Sequence, residues 1–228
     1  RTDDPDVVFT HHEAKRAALV GEVARVHATG RPVLVGTASV GESEELAAAL
    51  LAAGVDCQVL NARNDEREAA VVARAGEPGA VTISTNMAGR GTDIRLGGSD
   101  ESRRAEVAAT GGLYVIGTNR HASLRIDQQP RGRAGRPGDP GSSRFFVSLE
   151  DPLLERYGVE QLISARHLPS RQEGPVESRL LRTEIARAQR IVEDEGFQLR
   201  RTLFGYSEIV EKQRRAIQRW RAAVLERT

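Results

Sequence analysis

At 228 residues and 24.8 kDa the chain is long enough for one large domain, or one domain with an appendage, and can bury a core without covalent staples. Lysine plus arginine (33) against aspartate plus glutamate (32) leaves a formal charge of +1, so no global excess of positive charge pulls on a phosphate backbone. With 39% hydrophobic and 29% charged residues, a single cysteine (Cys57) and no apolar run near about 18 residues, the composition excludes wholesale disorder, an internal disulfide, a cysteine-rich zinc site and a membrane-spanning helix.

The opening Arg1-Thr2-Asp3-Asp4-Pro5-Asp6 is acidic and lacks an apolar centre, unlike a secretion signal. There is no initiator methionine, and the sole methionine is Met87, so the expectation is a piece of a longer, soluble intracellular protein. Glu13 to His27 reads as an amphipathic helix with Ala17, Leu19, Val20, Val23 and Val26 on one broad apolar face. Val33 to Thr37 follows the turn signal Gly30-Arg31-Pro32 and is apolar at successive positions, as a strand covered on both faces should be. A helix is expected over Ser43 to Ala53, closed by Gly54, then a strand over Val55 to Leu60. A further helix runs from Asn64, a candidate N-cap, to Ala75. Strands follow over Ala80 to Thr85, Leu113 to Thr118 and Arg144 to Leu149. Strands alternating with helices predict an α/β fold with a mostly parallel sheet and right-handed crossovers.

From Asp151 the texture changes to helical periodicity: Leu181, Ile185, Ala188 and Val192, then Tyr206, Val210, Ile217, Trp220 and Val224. Two or three helices are expected after residue 175, interrupted at Gly196 and Gly205. Leu181 to Val192 should face the α/β unit, and Trp220 should anchor the last apolar face. The organisation expected is an α/β domain over 1–150, a linker over 151–174 and a helical extension over 175–228.

Two stretches carry chemistry. In Gln129-x-x-Gly132-Arg133-x-Gly135-Arg136, two guanidiniums three residues apart are expected on one side of a helical turn, beside glycines that admit close approach. Arginine is always charged and offers a planar fork to phosphate oxygens, which suits a γ-phosphate contact delivered across an interface. Upstream, Thr82 to Ile94 is a strand running into a glycine-rich loop, where parallel α/β sheets place ligands. Gly89 and Gly91 permit tight turns, and Thr92 and Asp93 supply a hydroxyl and a carboxylate. His121 precedes the arginine cluster and reads as a structural hydrogen-bonding residue rather than a catalytic one. Scattered histidines and one cysteine argue against a metal site.

Together these stretches resemble motifs five and six of helicase-like, RecA-fold motor ATPases. Thr85-Asn86-Met87-Ala88-Gly89-Arg90-Gly91-Thr92-Asp93-Ile94 looks like the signature of one branch, the SecA preprotein translocase ATPases. Gly36-Thr37, Asn61-Ala62-Arg63-Asn64, Gly112-Leu113, Gly117-Thr118, Arg120-His121, Ser143-Arg144-Phe145, Ser148-Leu149-Glu150-Asp151 and Ala188-Gln189-Arg190 are similar too, so the resemblance covers nearly the whole chain. Asn119, Ala122, Leu124, Gln128 and Pro130 depart from the residues usual in that family, and Tyr206-Ser207-Glu208 replaces a usual Tyr-Asp-Asp. The loop Ile94 to Asp100 looks like that of accessory, actinobacterial-type members.

The resemblance implies a second motor domain followed by the start of the helical scaffold. ATP with Mg²⁺ would bind at the interface with a first nucleotide-binding domain, since this chain has no Gly-x-x-x-x-Gly-Lys-Ser/Thr and no Asp-Glu-x-Asp. Arg133 and Arg136 would be catalytic, and Asp139, Gly89, Gly91, Thr92 and Asp93 would bind the nucleotide. The partners implied are that first domain, preproteins, the membrane translocation channel and, optionally, a second copy in a homodimer, with no nucleic acid. The location implied is cytoplasmic, peripheral at the inner face of the cell membrane. The alternative is the C-terminal RecA-like half of a nucleic-acid helicase, against which stand the +1 charge and the 4% aromatic content.

Overall fold

The apolar runs that suggest strands covered on both faces form the middle of a parallel sheet. The computed structural model describes residues 1–60, 65–85, 92–162 and 174–226. Its strands are β1 (Thr2–Asp3), β2 (Val7–Phe9), β3 (Val33–Thr37), β4 (Gln58–Leu60), β5 (Val81–Thr85), β6 (Leu113–Gly117) and β7 (Gly141–Ser148). Its helices are α1 (His12–His27), α2 (Val40–Ala52), α3 (Asp65–Arg74), α4 (Arg104–Ala109), α5 (Leu124–Arg131), α6 (Pro152–Arg156) and α7 (Arg179–Leu225). The sheet order is β4-β5-β3-β6-β7, and both β1 and β2 lie along the free edge of β7. Every pairing is parallel, with Val35 of β3 opposite Ile83 on one side and Ile116 on the other. Parallel neighbours need crossovers, and α2, α3, α4 and α5 occupy the successive connections.

Side-chain alternation sorts the core into layers. Val33, Val35, Ile83, Tyr114 and Ile116 pack with Leu19, Val23 and Val26 of α1 and Leu46 and Leu50 of α2. Their neighbours in the strands, Leu34, Leu113 and Val115, pack with Val72, Ile94, Leu96, Val107 and Ala134. A third cluster joins Val8 of β2 and Phe145 and Val147 of β7 to Leu154 of α6 and to Leu181, Ile185 and Ala188 of α7.

Several expectations shift. Helix α2 starts at Val40, because Ser39 accepts a hydrogen bond from the Glu42 amide at 3.1 Å and Glu42 reaches back to the Ala38 amide at 2.8 Å. That is a capping-box pattern, and the predicted start at Ser43 overlooked it. Strand β4 begins at Gln58 rather than Val55, whose amide is taken by Leu50 O at the end of α2. In α1 the predicted face included Ala17, which is exposed; Lys15 is buried instead, its ammonium held by Asp151 at 2.6 Å and Thr118 O at 2.8 Å. The edge strands β1 and β2 and the short α4 carry too few residues for a periodic signal. The candidate N-cap Asn64 lies outside the described residues.

The chain divides into two compact units, Arg1–Gln189 and Arg190–Thr228. Within the first, Leu181, Ile185 and Ala188 are buried as expected, whereas Val192 in the second is only half-buried. The predicted breaks at Gly196 and Gly205 do not occur, and α7 is one helix of 47 residues. A helix-interior glycine costs only about 1 kcal/mol relative to alanine. Glu195, Gln198 and Leu199 near Gly196 favour the helix, and pairs such as Glu208–Lys212 (2.9 Å) and Glu211–Arg215 (3.0 Å) support the turns beyond Gly205. Trp220 is not a packing anchor within this unit, being 74% exposed, and Phe204 is similarly open. Among the described residues no helix is long and apolar enough to cross a membrane.

Leu181 is 0% exposed among apolar neighbours, so Leu181→Asp should destabilise the first unit by several kcal/mol, an unpartnered charge being forced into the core. A denaturant titration of the chain checks this, and a midpoint equal to the parent's would refute the packing.

Candidate functional site

The carboxyl ends of β5 and β6 face the same edge of the sheet, and the segment between α5 and β7 leads to the opposite, amino edge, where Gly141 is in register with Leu113 and lies against Gly135. Gly117 ends β6 against the Phe145 ring, where an added Cβ would lie 2.3 Å from a ring carbon. The chain then delivers Arg120, whose guanidinium stacks on Phe145 with 4.3 Å to the ring centroid. Arg120 grips Asp6, between β1 and β2, through Nε at 2.9 Å and Nη2 at 2.6 Å. Its Nη1 donates to Asp127 of α5 at 3.0 Å.

Asp127 is 0% exposed and is the centre of this arrangement. Oδ1 accepts from the His121 amide at 3.1 Å and lies 2.8 Å from His121 Nδ1. Oδ2 accepts from Arg120 and from Gln189 Nε2, the latter at 2.7 Å. Burial alone would raise its pKa, but the hydrogen bonds from His121 and Gln189 and the charge and hydrogen bond of Arg120 outweigh it and hold the carboxyl below its ordinary value. His121 thus makes a hydrogen bond within the fold, the kind of contact that the sequence suggests.

Helix α5 is capped by Ser123 and ends at Arg131, so Arg133 and Arg136 do not share a helical turn. Pro130 withholds a backbone donor in the last turn, and Gly135, at φ +67°, sends the chain into the left-handed region. A side chain at 135 would meet Arg1 Cβ at 2.6 Å. The two arginines are brought together by tertiary contacts instead. Arg133 Nη1 donates to Thr92 O at 3.2 Å, and the Arg136 guanidinium pairs with the Asp93 carboxylate. Burial pulls the Arg133 guanidinium down from its ordinary value, with Glu68 and Asp93 acting in the opposite sense. A partly desolvated guanidinium held by a backbone carbonyl can bind a phosphate oxygen in a medium where the attraction is stronger than in water.

The expected nucleotide ligand Asp139 is engaged elsewhere: Arg104 of α4 donates to it through Nε at 2.9 Å and also through Nη2. Thr92 and Asp93 are exposed. Gly89 and Gly91 lie outside the described residues, so the structure unites Arg133, Arg136, Thr92 and Asp93 and leaves Asp139 on its own ion pair. The sequence reading missed Asp127, Gln189, Asp6 and Arg104. One signal was available for Gln189: it stands four residues after Ile185, a polar residue on an apolar stripe.

Because the folded pKa of Asp127 lies below its ordinary 3.8, its ionisation contributes stability at pH above that value and loses it as pH falls through the folded value. Asp127→Asn should cost about 3 kcal/mol at neutral pH, and the gap to the parent should narrow below pH 3.8. Urea titrations over a pH series measure this; a gap independent of pH would contradict it.

Residues 1–107 and 100–168 match the family model of the SecA P-loop domain, and residues 175–228 match that of the SecA wing and scaffold domain. The protein translocase subunit SecA 2 of Thermobifida fusca (strain YX) is 49% identical over 226 residues, covering 99% of this chain and 29% of that protein. That of Clostridioides difficile (strain 630) is 47% identical over 228 residues, with 99% and 29% covered. The protein translocase subunit SecA of Clostridium botulinum (strain Eklund 17B / Type B) is 48% identical over 227 residues, with 99% and 26% covered. The chain therefore spans 26–29% of the length of these relatives. Among solved structures, the Escherichia coli DEAD-box protein SrmB, bound to the regulator of ribonuclease activity A, superposes with a TM-score of 0.55 at 19% identity over 75% of this chain and 96% of that chain. The RNA helicase Prp28 of Chaetomium thermophilum bound to ADP gives 0.50 at 23%, over 72% and 37%. At these identities the likeness is one of fold, and the fold is the expected RecA-like parallel sheet flanked by helices. Matches along the whole sequence, in both the sheet and the long helix, go further: the chain belongs to the SecA family of protein translocase subunits.

Proposed function

We propose that residues 1–150 are the second motor domain of a SecA-type ATPase, with 151–174 as linker and 175–228 as the start of the helical scaffold. The full-length protein would couple ATP binding and hydrolysis to preprotein translocation, working from the cytoplasm at the inner face of the membrane beside the translocation channel. The observation that carries this reading is the placement of Arg133 and Arg136 against Thr92 and Asp93, in the segment that follows the parallel strand β5. The 47–49% identity to SecA proteins favours it over a nucleic-acid helicase half, which shares only the fold.

In this reading ATP with Mg²⁺ binds at the interface with the first nucleotide-binding domain, and its terminal phosphoryl group is the one transferred. The residues of this chain fit that group. Arg133 is partly desolvated and anchored by a backbone carbonyl, so its guanidinium is oriented before any anion arrives. Arg136 is paired with a carboxylate that is exposed and can be exchanged for phosphate oxygens. In this reading Gly89, Gly91, Thr92 and Asp93 contact the nucleotide, and Asp139 contributes once Arg104 releases it. The arginines stabilise charge that grows in the transition state, so they act on turnover more than on binding. Homodimers and the absence of nucleic-acid binding belong to the same proposal.

Arg136→Ala in the full-length protein should reduce single-turnover ATP hydrolysis by roughly 10³–10⁵-fold with the fold intact, and Arg136→Lys should not rescue it, because an ammonium lacks the planar fork. A thermal melt beside each assay separates the readings. A variant that melts far lower, yet hydrolyses ATP normally in its folded fraction, would reduce Arg136 to scaffolding.

The 228-residue chain by itself should show no significant ATP turnover, since the phosphate-loop lysine is absent from its sequence. Steady Mg²⁺-independent hydrolysis by the purified chain would sink that expectation.

A further inference from the structure

Helix α7 enters the first unit with an apolar stripe, Leu181, Ile185 and Ala188, that suffices to seat it on the β7 side of the sheet. Gln189 extends the same face by one residue and is only 3% exposed. Burying an amide here costs desolvation that a leucine or methionine would avoid, so packing alone does not account for it. Both of its hydrogen-bond contacts point to the root of the arginine segment. Nε2 donates to His121 O at 2.9 Å and to Asp127 Oδ2 at 2.7 Å. Asp127 lies in α5, which ends two residues before Arg133 and five before Arg136.

We infer that Gln189 is a positioning residue for phosphoryl transfer: through its amide contacts with Asp127 and His121, α7 sets the orientation of α5 and hence of Arg133 and Arg136. The argument is geometric. Hydrogen bonds of 2.7–2.9 Å weaken steeply with displacement, so a shift of α7 by about 1 Å, or a rotation of its first turns, disengages the amide from Asp127. The carboxylate keeps Arg120 and His121 as partners, so the domain stays folded while α5 loses its contact with α7. A discrete change at Gln189 thus becomes a change in where the two arginines stand. This inference rests on the ATPase reading above and adds to it the residue through which α7 acts on the site.

The test uses the full-length protein. Gln189→Met keeps length and apolar contact but removes both donors. It should lower the kcat of ATP hydrolysis roughly tenfold, within the usual range of coupling between sites, and leave the KM for ATP and the melting temperature close to the parent's. Gln189→Glu sets a second carboxylate against Asp127 and should be worse. Combining it with Asp127→Asn restores a donor–acceptor pair with the charge moved, and kcat should then exceed that of Gln189→Glu alone, a recovery that loss of packing would not produce. An active parent whose Gln189→Met variant keeps its kcat overturns the inference. So does a double variant no better than Gln189→Glu, which decides the matter even where Gln189→Met fails to fold. A parent without ATP hydrolysis is a different failure: it overturns the ATPase reading, and this inference with it.

Discussion

A carboxylate with no access to water must find its whole solvation within the protein, and Asp127 does so by drawing four segments to one point. Arg120 and His121 come from the end of β6, Gln189 from α7, and Asp127 itself from α5, while Arg120 carries Asp6 and the N-terminal edge into the same cluster. An isolated buried charge is prohibitively unfavourable, and a half-satisfied network is worse than an apolar core. Arg120 and His121 hold the carboxylate in place, and Gln189 completes its set of donors. That requirement fixes the relative positions of elements separated by more than a hundred residues.

Around this centre the sheet provides rigidity and the glycines provide access. Phe145 lies beneath two guanidiniums, those of Arg120 at 4.3 Å and Arg131 at 4.8 Å, and Gly117 leaves room for its ring. A second buried pair, Lys15 with Asp151, ties α1 to the segment after β7 across the same end of the sheet. Burial pushes the Asp151 carboxyl up even beside that ammonium, the reverse of Asp127, whose more numerous donors win against desolvation. Two buried carboxylates thus shift in opposite directions because the balance of donors against burial differs.

Much of the sheet was legible in the sequence. The bounds of β3 were read correctly, and those of β5 and β6 to within one residue, because short runs rich in β-branched residues between turn signals have few other uses. The buried stripe of Leu181, Ile185 and Ala188 was read from its period. The second half of α7 was misread as broken because glycine's helix penalty was given more weight than the helix formers around it. The loop residues Gly89 and Gly91, read from their chemistry, lie outside the described residues.

The sequence by itself determined which segments alternate as strand and helix, and which residue types, two arginines and a glycine-rich loop, could meet a phosphate. It did so because period and turn chemistry are local properties. Only the tertiary structure decided how those residues meet. It placed Arg133 and Arg136 on a turn rather than on a helix, seated them on Thr92 and Asp93, gave Asp139 to Arg104, and linked Gln189 to Asp127 across 62 residues. Such pairings are set by which buried polar groups need partners once the sheet has closed. That need comes into existence only when water is excluded, so a local pattern can mark a polar residue on an apolar stripe, as at Gln189, but not the partner it meets.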